Sequence, residues 1–280
     1  MRPQVVIVEN GQRKTDNNRK PKVENHVTTD TLKLIVEMIM HRALLIAEGL
    51  FLLSFSVSAQ TADEIITKYV QKIGGIEKLQ AIKTMRSTGK FVGGGGFEAV
   101  VVQENKRPNL VREEFSLQGM TAINAYDGKN GWKINPFSGK KDAETLGEEE
   151  LKQIIEDSDF DGPLVNYKAK GNKVEFEGKE EYEGSDVFKL KVTLANGTVK
   201  HYFLDTDYYV PIKVETKQIN RGTEFETETV LGDYKEVGGI YFPFSVESGL
   251  KGSSNRSTVT YEKIVINEAL DDGRFAMPKK

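Results

Sequence analysis

The segment TLGEEELKQIIEDSDFDGPLV, residues 145–165, decides the fold, because it is the one strong amphipathic helix within a long run of strand-like sequence. Thr145 and Glu148 have the spacing of a capping box, and Glu148, Glu149 and Glu150 suit the positive end of a helix dipole. Leu151, Ile154 and Ile155 then fall on one face. Gly162 and Pro163 end the segment, since glycine permits a left-handed cap and proline cannot continue the hydrogen-bond ladder. A helix of this kind amid strands must lay its apolar face on a sheet, and it either seals a core or covers a cavity.

Working outward, residues 61–73 (TADEIITKYVQKI) repeat the helical pattern, with Ile65, Ile66, Tyr69, Val70 and Ile73 on one face and Gly74-Gly75 as the stop. A short turn over 76–82 leads into the first strand. Beyond it the pattern changes to short alternating runs punctuated by glycine, asparagine and aspartate. Strands are expected at 85–92, 97–104, 110–117, 121–126 and 131–135 before the helix, and at 173–178, 187–194, 198–205, 212–219, 224–234, 241–248 and 257–266 after it. Short connections make this a meandering antiparallel sheet, so the class is α+β, mainly antiparallel β, with about 11–12 strands. Asn196-Gly197 suits a two-residue hairpin turn, which sets Leu194 opposite Val199, Val192 opposite His201 and Leu190 opposite Phe203 on one apolar face. Lys189, Lys191, Thr193, Lys200 and Tyr202 then share the wet face. A twisted sheet of about ten or more strands curls, and two helices cover it incompletely. What remains open is a groove of the kind that binds ligands.

The chain has 280 residues, 38% of them hydrophobic, no cysteine and a formal charge of −3. Disulfides and cysteine-held metals are thereby excluded. The first 59 residues carry Lys or Arg at eight positions and Asp or Glu at six, leaving the remainder at −5. An acidic domain argues against nucleic acid as a partner, since phosphate binding needs a basic surface. Residues 40–59 read as a signal peptide: Arg42, an apolar run from Ala43 interrupted by Glu48, then Val57-Ser58-Ala59 before Gln60. Residues 1–39 read as a disordered extension or a misassigned start, with Met38 or Met40 as the alternative first residue. The domain proper is expected at 60–280, exported and soluble in the periplasm. The competing arrangement is an uncleaved anchor with a short cytoplasmic tail.

Several stretches carry a family resemblance: AYDGKNGW at 125–132, DFDGPLVNYKAKG at 159–171, YFLDTDYYVPIKV at 202–214, DYKEVGGIYFP at 233–243 and FAMP at 275–278. In this order and over nearly all of 61–278 they resemble the LolA-like family of outer-membrane lipoprotein-sorting proteins, particularly its longer bacterial members. The resemblance implies a strongly curved half-open β-barrel with helices as a lid over a cavity for acyl chains. The chain is longer than the classical carrier, and the carrier's individual functional residues do not map onto it.

Asp157, Asp159, Asp161 and Gly162 match the first half of a calcium loop, but Lys168 stands where the bidentate acid belongs, so a solvated acidic helix end is the simpler reading. His201 has no cysteine or second histidine beside it in the domain, which leaves a core histidine or a polar contact in the cavity rather than a catalyst or a metal ligand. Gly93 to Gly96 lack the helix and lysine of a phosphate loop and read as a flexible hairpin tip, with a mobile rim as the functional alternative. Trp132 reads as a core anchor or a lid contact. The expected cavity lining is Ile66, Val70, Leu151, Ile154, Ile155, Leu190, Val192, His201 and Phe203, residues that would serve equally as ordinary core. The function expected is that of a non-enzymatic monomer, without cofactor or metal: a periplasmic carrier or sensor that binds acyl chains of lipoproteins or lipids, with an envelope membrane protein as a candidate partner. The rival is a regulatory or scaffold domain that binds a protein segment through the same sheet.

Overall fold

The computed structural model describes residues 61–220 and 223–279. The extension at 1–39 and the signal expected at 40–59 lie outside the described residues. Helices α1 (Thr61–Lys72) and α2 (Ile76–Ala81) come first, followed by β1 (Thr84–Val92), β2 (Glu98–Lys106), β3 (Leu110–Leu117), β4 (Met120–Tyr126), β5 (Gly131–Asn135) and β6 (Lys140–Thr145). Helix α3 (Glu148–Asp157) then precedes β7 (Lys173–Tyr182), β8 (Ser185–Thr193), β9 (Val199–Asp205), β10 (Pro211–Asn220), β11 (Thr223–Val237), β12 (Ile240–Leu250) and β13 (Arg256–Ile266).

All thirteen strands form one curved, unclosed antiparallel sheet in the order β6-β5-β4-β3-β2-β1-β13-β12-β11-β10-β9-β8-β7. Each strand pairs with its neighbour in sequence, and β13 returns to pair with β1. Among the described residues, the only consecutive strands that do not pair are β6 and β7, and α3 lies in the connection between them. The sheet is thus a ring of hairpins cut at one place, with the helix set across the cut. β6 is one strand more than the sequence pattern provides, because its run KKDAET has no alternating apolar residues to announce it.

The helix begins two residues later than its sequence signal. Thr145 is the last residue of β6, and the capping acid is Glu150, whose carboxylate accepts from the Gly147 N–H at 3.0 Å. Helix α3 ends at Asp157, and turns fill 158–172. That segment is clamped from both sides. Arg107 makes a two-pronged pair with Asp161 while donating to the Ile82 and Leu79 carbonyls, and Lys170 holds Asp159 and the Gly162 carbonyl. Asp157 accepts from Gln153. The aspartates of the half calcium loop are therefore turned to separate partners, and two of them are tied in ion pairs rather than solvated.

Alternate residues on paired strands share a face. The helices cover one face, burying Ile65 and Ile66 of α1 against Phe188, Leu190, Val192 and Leu204 of β8 and β9. Ile73, Leu79, Ile82, Val165 and Ile240 form a second cluster, and Ile154 of α3 packs on Val111 and Tyr126. Full burial of each such side chain stabilises by about 1.5–3 kcal/mol. The outer face has its own anchor near β5. Trp132, 1% exposed, donates its indole N–H to the Phe275 carbonyl at 2.7 Å, so the C-terminal segment straps the back of the sheet.

The β8–β9 register differs by one residue from the expected one. Leu194 N–H bonds the Thr198 carbonyl, the loop is Ala195-Asn196-Gly197, and Gly197 takes a left-handed φ of 87°. A three-residue loop closed by a left-handed glycine replaces the two-residue turn. Val192 therefore pairs with Lys200 and Leu190 with Tyr202, while Lys191 pairs with His201 and Lys189 with Phe203. A one-residue slip moves every side chain of β9 to the other face. Tyr202 and Lys200 point to the helices, and His201 and Phe203 to the outside.

Candidate functional site

The concave face is not covered uniformly. Across its middle the register aligns Leu231, Val246, Val259 and Phe91 in one row, and Val101, Phe115 and Ala122 in the next. These residues are half-buried, and none belongs to the three core clusters. A 290 Å³ cavity lies among them, walled by Val101, Phe115 and Val259 and also by Gln103, Glu113 and Tyr261. Strand alternation explains the mixture: in VREEF of β3, Val111, Glu113 and Phe115 face inward, while Arg112 and Glu114 pair with each other outside.

The polar side of this cavity is electrostatically unusual. Burial, reinforced by the nearby Asp157 charge, pushes the Glu113 carboxyl up to about 7. Asp157, at the end of α3, is also raised, chiefly by burial. Burial and these two carboxyls push the Tyr261 phenol up to about 12, and its hydroxyl reaches Gln103 at 3.3 Å. The middle of the groove thus presents apolar walls with a protonatable acid on one side.

Helix α3 is fastened at both ends. Near its start Lys133 binds Glu150 at 2.5 Å. At its far end Glu156 accepts from Asn196 and Thr198, both at 2.8 Å, and pairs with Lys200 at 2.9 Å. Burial raises the Glu156 carboxyl, but the Lys200 charge and the hydrogen bonds outweigh it and leave the group below its ordinary value. On α1 and beneath it burial raises three tyrosines. Tyr69 is pushed to about 12, Tyr202 and Tyr234 go up as well, and the Tyr234 hydroxyl donates to the Pro211 carbonyl at 2.6 Å.

The expected lining residues are dispersed over these regions. Ile66 and Val70 line a 590 Å³ surface groove between α1 and residues 164–169. Leu190 and Val192 are fully enclosed in the core under α1. Leu151 and Ile154 face Val111 and Tyr126, whereas Ile155 is 43% exposed and points away from that packing. His201 and Phe203, expected on the apolar inner face, are on the outer one. His201 Nε2 is 3.5 Å from Glu177, and Phe203 is buried beneath the Lys213 ammonium, 3.9 Å from its ring centre. A further pocket of 550 Å³ is bordered by Tyr208, Val210, Ile212, Leu231, Tyr234 and Tyr241. The sequence reading missed Glu113, Tyr261, Glu156 and Lys200. The alternation in β3 signals Glu113, but nothing local signals an inward, half-buried Lys200.

Among the described residues no group of three or more His, Asp or Glu side chains is placed to hold a metal ion, and no helix is long and apolar enough to cross a membrane.

An open antiparallel half-barrel, helices set on its concave face and a partly filled groove define the class of structure. No family model matches the sequence, and no curated protein matches it. Solved structures do. A LolA superfamily protein from Nitrosomonas europaea is similar over 79% of this chain and 98% of its own, at 13% identity and a TM-score of 0.52. A DUF1329 family protein from Desulfovibrio piger matches over 77% and 97%, at 10% identity and a TM-score of 0.52. The fold is LolA-like. At these identities the likeness is one of fold.

Proposed function

We propose that this protein is an exported, periplasmic carrier or sensor, acting as a monomer, that holds an acyl chain of a lipoprotein or lipid on the concave face without chemistry on it. The observation that carries this reading is the row of half-buried apolar residues in the middle of an otherwise packed sheet, with a 290 Å³ cavity among them. Apolar surface left half-wet inside a fold is a standing source of binding free energy. Each methylene it takes from water contributes about 0.8 kcal/mol. The site proposed is therefore the floor at Phe91, Val101, Phe115, Ala122, Val246 and Val259, whose nearest strand, β12, stands four strands along the sheet from the enclosed Leu190 and Val192 of β8. Helix α3, held by Glu156 and Lys200, borders it, and its release admits or discharges the chain.

Native mass spectrometry with lipid extraction, on protein recovered from the periplasm after expression of the full chain, tests the reading. A bound lipid or acylated peptide is expected, on a chain beginning at Gln60. The variant A122W, which places an indole in the cavity, is expected to emerge without lipid and with unchanged circular dichroism. Equal lipid on A122W and the parent protein sinks the site, and a lipid-free parent that crosslinks to a protein segment instead favours a scaffold.

A further inference from the structure

In an up-and-down meander, alternate turns lie at the same end of the sheet. β1 runs away from α2, so the turns β1–β2, β3–β4, β5–β6 and β12–β13 share the end remote from it. Each carries a large apolar side chain in solvent: Phe97 at 47% exposure, Met120 at 40%, Phe137 at 41% and Leu250 at 54%. Two of these turns touch, since Gly94 lies against Asn255 closely enough to leave no room for a Cβ. The others are joined through rings. Phe97 meets Phe91 at 5.5 Å, Phe91 meets Phe115 at 5.2 Å, and Phe115 meets Phe137 at 6.0 Å. Phe91 and Phe115 belong to the proposed acyl-chain floor, so an aromatic path runs from the exposed tips into the groove.

The charge distribution separates these four tips from the turns at the other end. Residues 93–97, 118–119, 136–139 and 251–255 contain no carboxylate, although the domain is acidic overall; Glu98, which follows Phe97, is paired with Lys90, and Lys140, paired with Glu144, and Lys141 follow Phe137. Turns at the opposite end carry Asp127, Glu183 and Asp207, and the exposed Tyr208 there sits next to Asp207. A surface that loses water against lipid headgroups excludes carboxylates and favours aromatic rings with lysine beside them.

We propose that these four turns rest on a phospholipid bilayer, with Phe97, Met120, Phe137 and Leu250 in its interfacial layer. The contact rests on the carrier reading only for its purpose: a chain leaving the membrane passes onto Phe91 and Phe115 without crossing water. Interfacial binding of this kind scales with the apolar area inserted.

The chain contains no cysteine, so the full-length protein accepts one label at a chosen site. F97C, F137C and, as a control at the opposite end, Y208C carry an environment-sensitive fluorophore and are mixed with vesicles of phosphatidylethanolamine and phosphatidylglycerol. A blue shift with a gain in intensity is expected at positions 97 and 137 and none at 208. In the unlabelled protein, the exchange of both phenylalanines in F97S/F137S should weaken vesicle binding about tenfold or more. Labels at 97 and 137 that stay solvent-like, or a label at 208 that shifts equally, overturn the proposal. A water-soluble fluorescent fatty acid offered without vesicles reads the groove separately. Its binding with no shift at the rim sinks the bilayer contact alone, whereas a shift at the rim with no fatty-acid binding upholds the contact and sinks the carrier reading.

Discussion

Two regions of one concave face behave differently. Under α1, Leu190, Val192 and Leu204 are fully enclosed by Ile65, Ile66 and Leu164. A few strands away, Val246, Val259, Val101 and Phe115 share that face and a similar apolar character, yet remain half-buried beside a cavity. Strand pattern is the same in both; the difference lies in whether a helix rests on it. Inward alternation places an apolar side chain on the concave surface. Only the path of another element makes it core, and where no described element passes, the same chemistry becomes a binding floor.

The sharpest test of this contrast is a pair of truncations. Leu190→Ala removes packing that cannot be replaced and is expected to cost about 2–5 kcal/mol. Val259→Ala, on the half-wet floor, is expected to cost about 1 kcal/mol or less, while weakening retention of an acyl chain. Urea unfolding of the two variants reads the difference directly. Equal losses would make the middle of the sheet an ordinary core and remove the basis for the proposed site.

Next in size is the fastening of α3 to the enclosed region. Glu156 is bonded to Lys200, Asn196 and Thr198 with little exposure, so Glu156→Ala leaves the half-buried Lys200 ammonium without its partner. A loss of about 1–2 kcal/mol is expected, between the values for exposed and fully buried pairs. Because the folded-state carboxyl lies below its ordinary value, the stability it provides is present at neutral pH and disappears as pH falls through that lowered value. Stability curves of the parent and E156A proteins should therefore converge in acid. Parallel curves would mean that the helix end is held by something other than this charge.

These features were unequally legible in the amino-acid order. Twelve strands were readable because β-branched runs such as VVVQE and alternating ones such as KLKVT, set between turn residues, fit a pleated strand. β6 was not, since KKDAET earns its place by pairing with β5 rather than by burying anything. The hairpin at Asn196-Gly197 was recognisable, but its length was not. Asn196 accepts from the Thr198 N–H at 3.0 Å and donates to Glu156, a distant contact that accompanies the longer loop. That single residue of slip carried His201 and Phe203 to the outside and brought Lys200 and Tyr202 in. Helix periodicity likewise placed Ile154 correctly against the sheet and overextended the stripe to Ile155, at the edge of the buried arc. Whether an inward residue is covered depends on the routes of α1 and α3 across the sheet, which local periodicity does not encode.

The smallest expected effect concerns the acid in the open region. Glu113 titrates near 7, raised first by burial and then by the charge of Asp157, against an ordinary value of 4.5. A carboxyl raised in the folded state favours folding fully below its unfolded value, and this contribution is lost as pH rises through the folded one. Between 4.5 and about 7 the parent protein should therefore lose stability that Glu113→Gln keeps. Because the groove admits water to this partly buried side chain, the difference at neutral pH is expected to be on the order of 1 kcal/mol in favour of the variant. Denaturant titrations across that range measure it. The comparison of regions gives the result its meaning, because a dry core would not leave an ionising acid beside Val101 and Phe115, whereas a groove that opens to solvent can. If E113Q and the parent protein keep the same difference at every pH, Glu113 is either fully solvated or permanently neutral, and the polar wall of the cavity is not the titrating surface described here.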